Sequence, residues 1–176
     1  STALAILSGL GINVNGLVSG SNKNPPSELK INLVNQGLKA AKLKKNPSSV
    51  DLMAAVGDPF QPIALGLLMG ARESGRDILL GGGCQMLAVL ALALNEIEPE
   101  SRSEYVEKIQ IGTTSWLVDE SLFSSKKRNS FIHLMNHVAK HFKVNILGLA
   151  SGYRFNDSNQ KVLRDYEIGY IKEGVG

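Results

Sequence analysis

A single cysteine, Cys84, stands among 176 residues, which excludes an internal disulfide and makes a reducing compartment the expectation. An excess of one charge is also lacking: 19 Lys and Arg face 16 Asp and Glu, a net charge of +3, too slight to argue for nucleic acid or an anionic membrane surface. Basic residues do gather at Lys39 to Lys45 (KAAKLKK) and at Lys126 to Arg128. Neither run is interleaved with aromatics that could stack on bases, so both read as solvated helix ends. The opening STALAILSGLG is apolar but too short to span a bilayer, and it carries no basic leader. No membrane partner and a cytoplasmic location are therefore expected.

Internal repeats and low-complexity linkers are absent as well. What remains is ordinary for a globular domain, with 43% hydrophobic and 20% charged residues, and glycine, at 18 residues, is the one excess. A chain of this length is about one domain and can bury roughly two thirds of its unfolded surface.

Short β-branched runs alternate with longer segments of helical period, the pattern of a parallel sheet wrapped by helices. Strands are predicted at Val14–Val18, Leu52–Val56, Asp77–Leu80, Lys108–Gly112 and Val144–Leu149. Helices are predicted at Thr2–Leu10, Ser27–Ala41, Phe60–Glu73, Gln85–Glu96, Asn159–Lys172 and, more weakly, Asp119–Lys140. The fold class is thus α/β, three-layered, with a mainly parallel sheet of about five or more strands. The first helix has no strand before it and the chain stops in a glycine-rich turn, so residues 1–176 read as one domain excised from a longer protein.

Ligands of open parallel sheets bind outside the carboxyl ends of the strands. The strand-to-helix turns read from the pattern are SGSNKNPPS (Ser19–Ser27), GDP (Gly57–Pro59), GGGC (Gly81–Cys84), GTTSW (Gly112–Trp116) and ASGYRFND (Ala150–Asp157). All five combine Gly with Ser, Thr, Asn, Asp or Cys. The opposite turns, such as KLKKNPSS and ESGR, are charged or Pro-punctuated. That asymmetry marks one edge as the candidate site.

Within these turns, Gly81, Gly82 and Gly83 let backbone N–H groups approach an anion at the start of a helix, or equally make a tight connection into it. Cys84 would need a neighbouring base to act as a nucleophile, so packing beneath the turn is the preferred reading. Asp58 suits an N-cap with Pro59 in the first helical position, a role compatible with holding ribose hydroxyls. Lys30, one turn into its helix, lies within reach of a phosphate, although most lysines at such places are simply solvated. Glu173 stands against the dipole at a helix end, a mismatch that fits either a functional carboxylate or an ordinary exposed last-turn Glu. His133, His137 and His141 share one helical face, but no Cys or carboxylate cluster accompanies them and no metal is expected.

Taken in order, SGSNKNPPSELK, AAVGDPFQPIALG, LLGGGCQMLAVLA, IGTTSW and YEIGYIKEGVG resemble the nicotinate-nucleotide:dimethylbenzimidazole phosphoribosyltransferase family, in particular its archaeal and cyanobacterial branch. The resemblance covers essentially the whole chain. It implies a Rossmann-like α/β nucleotide-binding catalytic domain that moves phosphoribose from nicotinate mononucleotide to a benzimidazole-type base. The product would be the α-ribotide of the cobalamin lower ligand. It further implies Glu173 as the catalytic base and Lys30 as the phosphate contact. Ser19, Gly20, Gly57, Asp58, Gly81, Gly82, Gly83, Cys84, Ser151 and Gly174 would line the substrate site. The partners implied are the nucleotide, the heterocyclic base and a second subunit, with no cofactor. Lys172 replaces the first glycine of the family's glutamate turn, Val175 replaces its hydroxyl residue, and the family's upstream glycine-rich loop would lie before Ser1. Two rivals are a non-catalytic nucleotide-binding module and a flavodoxin-like interaction domain whose glycine turns are only structural.

Overall fold

The structure, a computed structural model, describes residues 2–14, 16–18, 27–118 and 130–167. Its centre is the run Leu87 to Leu94, eight successive residues that are all buried. A helix that is apolar on every side has to be surrounded. This one, α5 (Cys84–Glu96), is packed by α1 (Thr2–Gly9), α3 (Ser49–Val56), α4 (Phe60–Glu73) and α8 (Ser130–Phe142). The alanines at 88, 91 and 93 let these neighbours come close. α2 (Ser27–Ala41) lies against α1 and α3, and α6 (Arg102–Glu107) and α7 (Ser115–Val118) lie against the sheet. α9 (Lys161–Glu167) closes the described chain.

The sheet is parallel, as expected, but it has three strands in the order β1 (Ile78–Gly81), β2 (Ile109–Thr114) and β3 (Leu147–Ser151) among the described residues. Ile78 pairs with Ile109, and Gln110 with Leu147. The class is α/β, with nine α-helices among the described residues.

The expectation of five or more strands fails at two named places. Leu52–Val56 belongs to α3, because Ser48 caps it by accepting from Asp51 N at 3.1 Å, and Leu52, Met53, Ala54 and Ala55 are strong helix formers. Ser49 then ties α3 to the far end of α5, its Oγ donating to Leu92 O at 2.8 Å and its N to Glu96 Oε1 at 2.7 Å. In Val14–Val18 the described residues form a turn, with Leu17 N donating to Val14 O at 3.0 Å. Both runs are apolar and short, and such runs do not distinguish strand from buried helix or turn. The helices at Ser27–Ala41 and Phe60–Glu73 match in full, and Gln85–Glu96 gains only Cys84.

Register separates the two faces of the sheet. Ile78, Leu80, Ile109, Ile111, Gly148 and Ala150 share the face toward the helices, where a Cβ on Gly148 would meet Met135 Sδ of α8 at 3.2 Å. Leu79, Gln110, Gly112, Leu147 and Leu149 share the other. There Leu79 is 63% exposed, Leu147 53% and Leu149 46%. Parallel sheets ordinarily carry helices on both faces, so this one is half covered among the described residues.

Two titratable groups, the buried Tyr105 and the more exposed His141, give predictions. Tyr105 of α6 is buried, its Oη has no hydrogen-bond partner among the described residues, and the Arg72 guanidinium lies 4.6 Å from its ring centroid. Burial pushes its phenol above the ordinary value, against the opposing pull of Arg72. Because the desolvated hydroxyl gains nothing here, Tyr105→Phe should be neutral or stabilise the full-length protein by up to about 1–3 kcal/mol in denaturant unfolding. A clear loss of stability would mean that the hydroxyl has a partner. His141, edge-on to Phe142, is held below its usual 6.5 by burial first and then by Arg102. The unfolded chain therefore binds that proton more readily than the folded one, and stability rises with pH from the depressed folded value to 6.5. Unfolding midpoints of His141→Gln should be less pH-sensitive than wild type as pH falls below 6.5, and identical slopes would refute this.

Candidate functional site

β1 gives way to α5 through Gly82 and Gly83. Gly82 N donates to Gly112 O at 2.7 Å, extending the β1–β2 ladder by one residue. It does so at φ +154°, where a Cβ would lie 2.8 Å from Met86 Cγ, so glycine is the residue that fits. Gly83 then accepts from Met86 N at 3.0 Å and opens the helix. Cys84, the first residue of α5, is partly buried and packs against the core, the packing role read from the sequence.

One turn into this corner, Gln85 meets Asp58. Asp58 Oδ1 accepts from Phe60 N at 3.0 Å and Gln61 N at 3.2 Å, while Gln61 Oε1 accepts from Asp58 N at 3.2 Å. This is a reciprocal capping box at the start of α4, and Pro59 already has helical angles of −61° and −21°. Asp58 Oδ2 faces the other way. It accepts from Thr2 Oγ1 at 2.6 Å and from Gln85 Nε2 at 3.3 Å. Gln85 Nε2 also lies 2.8 Å from Thr2 Oγ1, and Gln61 Nε2 donates to Gln85 Oε1 at 3.4 Å. Gln61 is 0% exposed, and the hydrogen bonds to Asp58 and Gln85 account for its amide.

The starts of α1, α4 and α5 therefore converge on one carboxylate. Each helix start carries about +0.5 of a charge, so roughly +1.5 gathers around a single −1. Asp58 is thus the resident anion of the corner, and both its oxygens are engaged within the protein. Gly57 makes the approach possible, since a Cβ there would lie 2.6 Å from Met53 O and 2.8 Å from Gln61 Oε1.

The far side of the edge is aromatic. β3 ends at Ser151, exposed and paired with Thr114 of β2. Beyond it Trp116 and Phe155 lie 5.3 Å apart between ring centroids, and Tyr153 lies 6.4 Å from Phe155 and is exposed. Ser115 Oγ donates to Tyr153 O at 3.4 Å, joining the start of α7 to this loop.

The residues expected at the site are distributed as follows. Gly57, Asp58, Gly81, Gly82, Gly83 and Cys84 meet at the α5 corner, although the Gly57–Pro59 turn connects two helices and not a strand to a helix. Ser151 stands at the end of β3. Lys30 is half-buried in the first turn of α2, and no hydrogen bond among the described residues ties it to the Asp58 cluster. Ser19, Gly20, Glu173 and Gly174 lie outside the described residues. His137 Nδ1–H donates to Asn13 O at 2.6 Å, and no group of three or more His, Cys, Asp or Glu among the described residues is placed to hold a metal. No described helix is long and apolar enough to cross a membrane.

Sequence reading missed Thr2, Gln61 and Gln85 as partners of Asp58. The Asp-x-x-Gln spacing of the capping box was a usable signal for Gln61. For Thr2 and Gln85 there was none, because their contacts join residues 56, 83 and 27 positions apart.

No protein-family model matches the chain. It is 51% identical over all 176 residues to a UPF0284 protein of the cyanobacterium Prochlorococcus marinus (strain MIT 9313). It is 46% identical to UPF0284 protein SYNW1869 of Parasynechococcus marenigrum (strain WH8102), and 35% identical to UPF0284 protein MJ1598 of the archaeon Methanocaldococcus jannaschii. The chain spans 44% of the two former proteins and 46% of the latter.

If Asp58 holds the three helix starts together, Asp58→Ala should destabilise the full-length protein by about 1–3 kcal/mol. Asp58→Asn, which keeps the capping oxygen, should cost less. Equal unfolding midpoints for wild type and both variants would remove Asp58 from this role.

Proposed function

We propose that this chain is the nucleotide-binding part of a phosphoribosyltransferase that moves phosphoribose from nicotinate mononucleotide to a benzimidazole-type base. The observation that carries the reading is the meeting of the Gly57–Asp58 and Gly81–Cys84 turns at the carboxyl edge of a parallel sheet. Two of the five motifs that resemble the family, far apart in the chain, come together where such sheets bind ligands. The exposed ring of Tyr153, beside Phe155, offers a face for a heterocycle on the same edge. The relatives come from cyanobacteria and an archaeon, the two groups of the branch that the motifs resemble.

The chemistry asks little of the protein. A benzimidazole nitrogen attacks C1′ of the ribose, and the bond from C1′ to the pyridinium nitrogen breaks with its electron pair going to nicotinate. The leaving ring thereby becomes neutral and needs no acid. The attacking base becomes cationic unless its second nitrogen gives up a proton, and Glu173 is the carboxylate proposed to take it. Lys30 is the proposed phosphate contact. Asp58 serves as a positioning residue, fixing the α5 start against which the nucleotide is held.

The test is nicotinate release from nicotinate mononucleotide by the full-length protein, with and without dimethylbenzimidazole. Release should depend on the base and fall by about 10²- to 10⁴-fold in Glu173→Gln, with mononucleotide binding retained. Binding without release would leave a non-catalytic nucleotide module, and absence of both would end the nucleotide reading.

A further inference from the structure

At the opposite end of α5 the molecule has a cleft of about 770 Å³ lined by Lys39, Lys42, Lys44, Lys45, Arg102 and His141. Its apolar wall includes Leu10, Leu43 and Phe142. No carboxylate lines it among the described residues. The nearby Glu96 is occupied by the backbone N–H of Ser49 at 2.7 Å. Gln85 and Asn95 mark the two ends of α5, so the cleft lies about 15 Å from the Asp58 corner at 1.5 Å per residue.

Basic residues at helix ends have a structural use, and here part of the charge is spent on it. α1, α2, α5 and α8 all end at this cleft. Arg102 Nε donates to Leu94 O at 2.9 Å and Ile97 O at 3.0 Å, satisfying the end of α5, and its guanidinium lies 5.1 Å from the Phe142 ring centroid. At about −0.5 each, four helix ends supply roughly −2. The four lysines and Arg102 supply five positive charges, so about +3 is left over once the helix ends are satisfied.

The turn that brings the lysines together is held at both ends. Lys42 sits at the end of α2 with φ +48° and Asn46 follows with φ +59°. Asn is suited to that conformation; a lysine there costs roughly 1–2 kcal/mol that glycine would avoid. Asn95 Nδ2 donates to Pro47 O and to Ser49 Oγ, each at 3.2 Å, pinning the far end of the turn to α5. The lysines are therefore presented by an anchored segment.

We propose that this cleft binds a small molecule carrying two or more linked phosphate groups. Clustered ammonium groups suit linked phosphates as point charges. The volume falls within the range of roughly 300–1,000 Å³ that small-molecule sites occupy. The apolar wall gives the rest of such a ligand a surface to lie on.

The probe is inorganic tripolyphosphate, titrated calorimetrically into the full-length protein in the presence of saturating nicotinate mononucleotide. Binding should persist with the mononucleotide present and weaken about tenfold or more when Lys42→Asn and Lys45→Gln are combined, the first substitution being chosen to keep the left-handed backbone. The double variant should unfold at or above the wild-type midpoint. Arg76→Gln with Lys161→Gln, which removes two charges elsewhere, should leave affinity unchanged. Absence of binding, displacement by the mononucleotide, or equal weakening by the distant pair would each overturn the proposal. Because the mononucleotide site is scored separately, failure of the cleft and failure of the transferase reading are distinguishable.

Discussion

The carboxylate of Asp58 holds together the starts of α1, α4 and α5, and the layout of the molecule follows from that meeting. Helices in parallel sheets run alike, so their positive ends accumulate at one edge. Unopposed, three such ends in a half-buried corner would repel one another. One acidic side chain, capping α4 with one oxygen and bonding Thr2 and Gln85 with the other, makes the arrangement stable and sets the spacing of the turns around it. The same alignment puts the negative ends at the far side, where Arg102 and the lysines of the α2 end gather. The two ends of α5 thus carry opposite resident charges for one physical reason.

α5 transmits that order through the core. Its continuous buried run from Leu87 to Leu94 leaves it no solvent face and therefore no freedom to rotate without disturbing every neighbour. The turn at Gly82 and Gly83 is fixed on one side by the sheet ladder and on the other by this packing. Backbone geometry at the candidate site is consequently set by core residues as much as by the glycines themselves.

Much of this was legible in the sequence, and the boundary of what was not has physical causes. Strong helical period, as in Phe60–Glu73 and Ser27–Ala41, gave element type and limits directly. Leu52–Val56 misled because a short apolar run satisfies a strand and a buried helix equally, and the deciding signal was the cap at Ser48 just outside it. At the site, the glycines, Cys84 and the capping role of Asp58 could be read locally. The node that joins them could not, because it depends on side chains brought together from three distant segments. The lysine run was read as solvated helix ends; its helix-end position was legible, but the concavity around it is a tertiary property.

One face of the sheet still presents Leu79, Leu147 and Leu149 outward, and β1 and β3 are edge strands among the described residues. Leucines beside unpaired backbone form an adhesive surface, able to recruit a strand or an apolar face from any molecule close enough. The order of assembly then matters to the protein's fate. A second copy of the chain is one such molecule, so the yield of native protein should depend on concentration during folding even if its final stability does not.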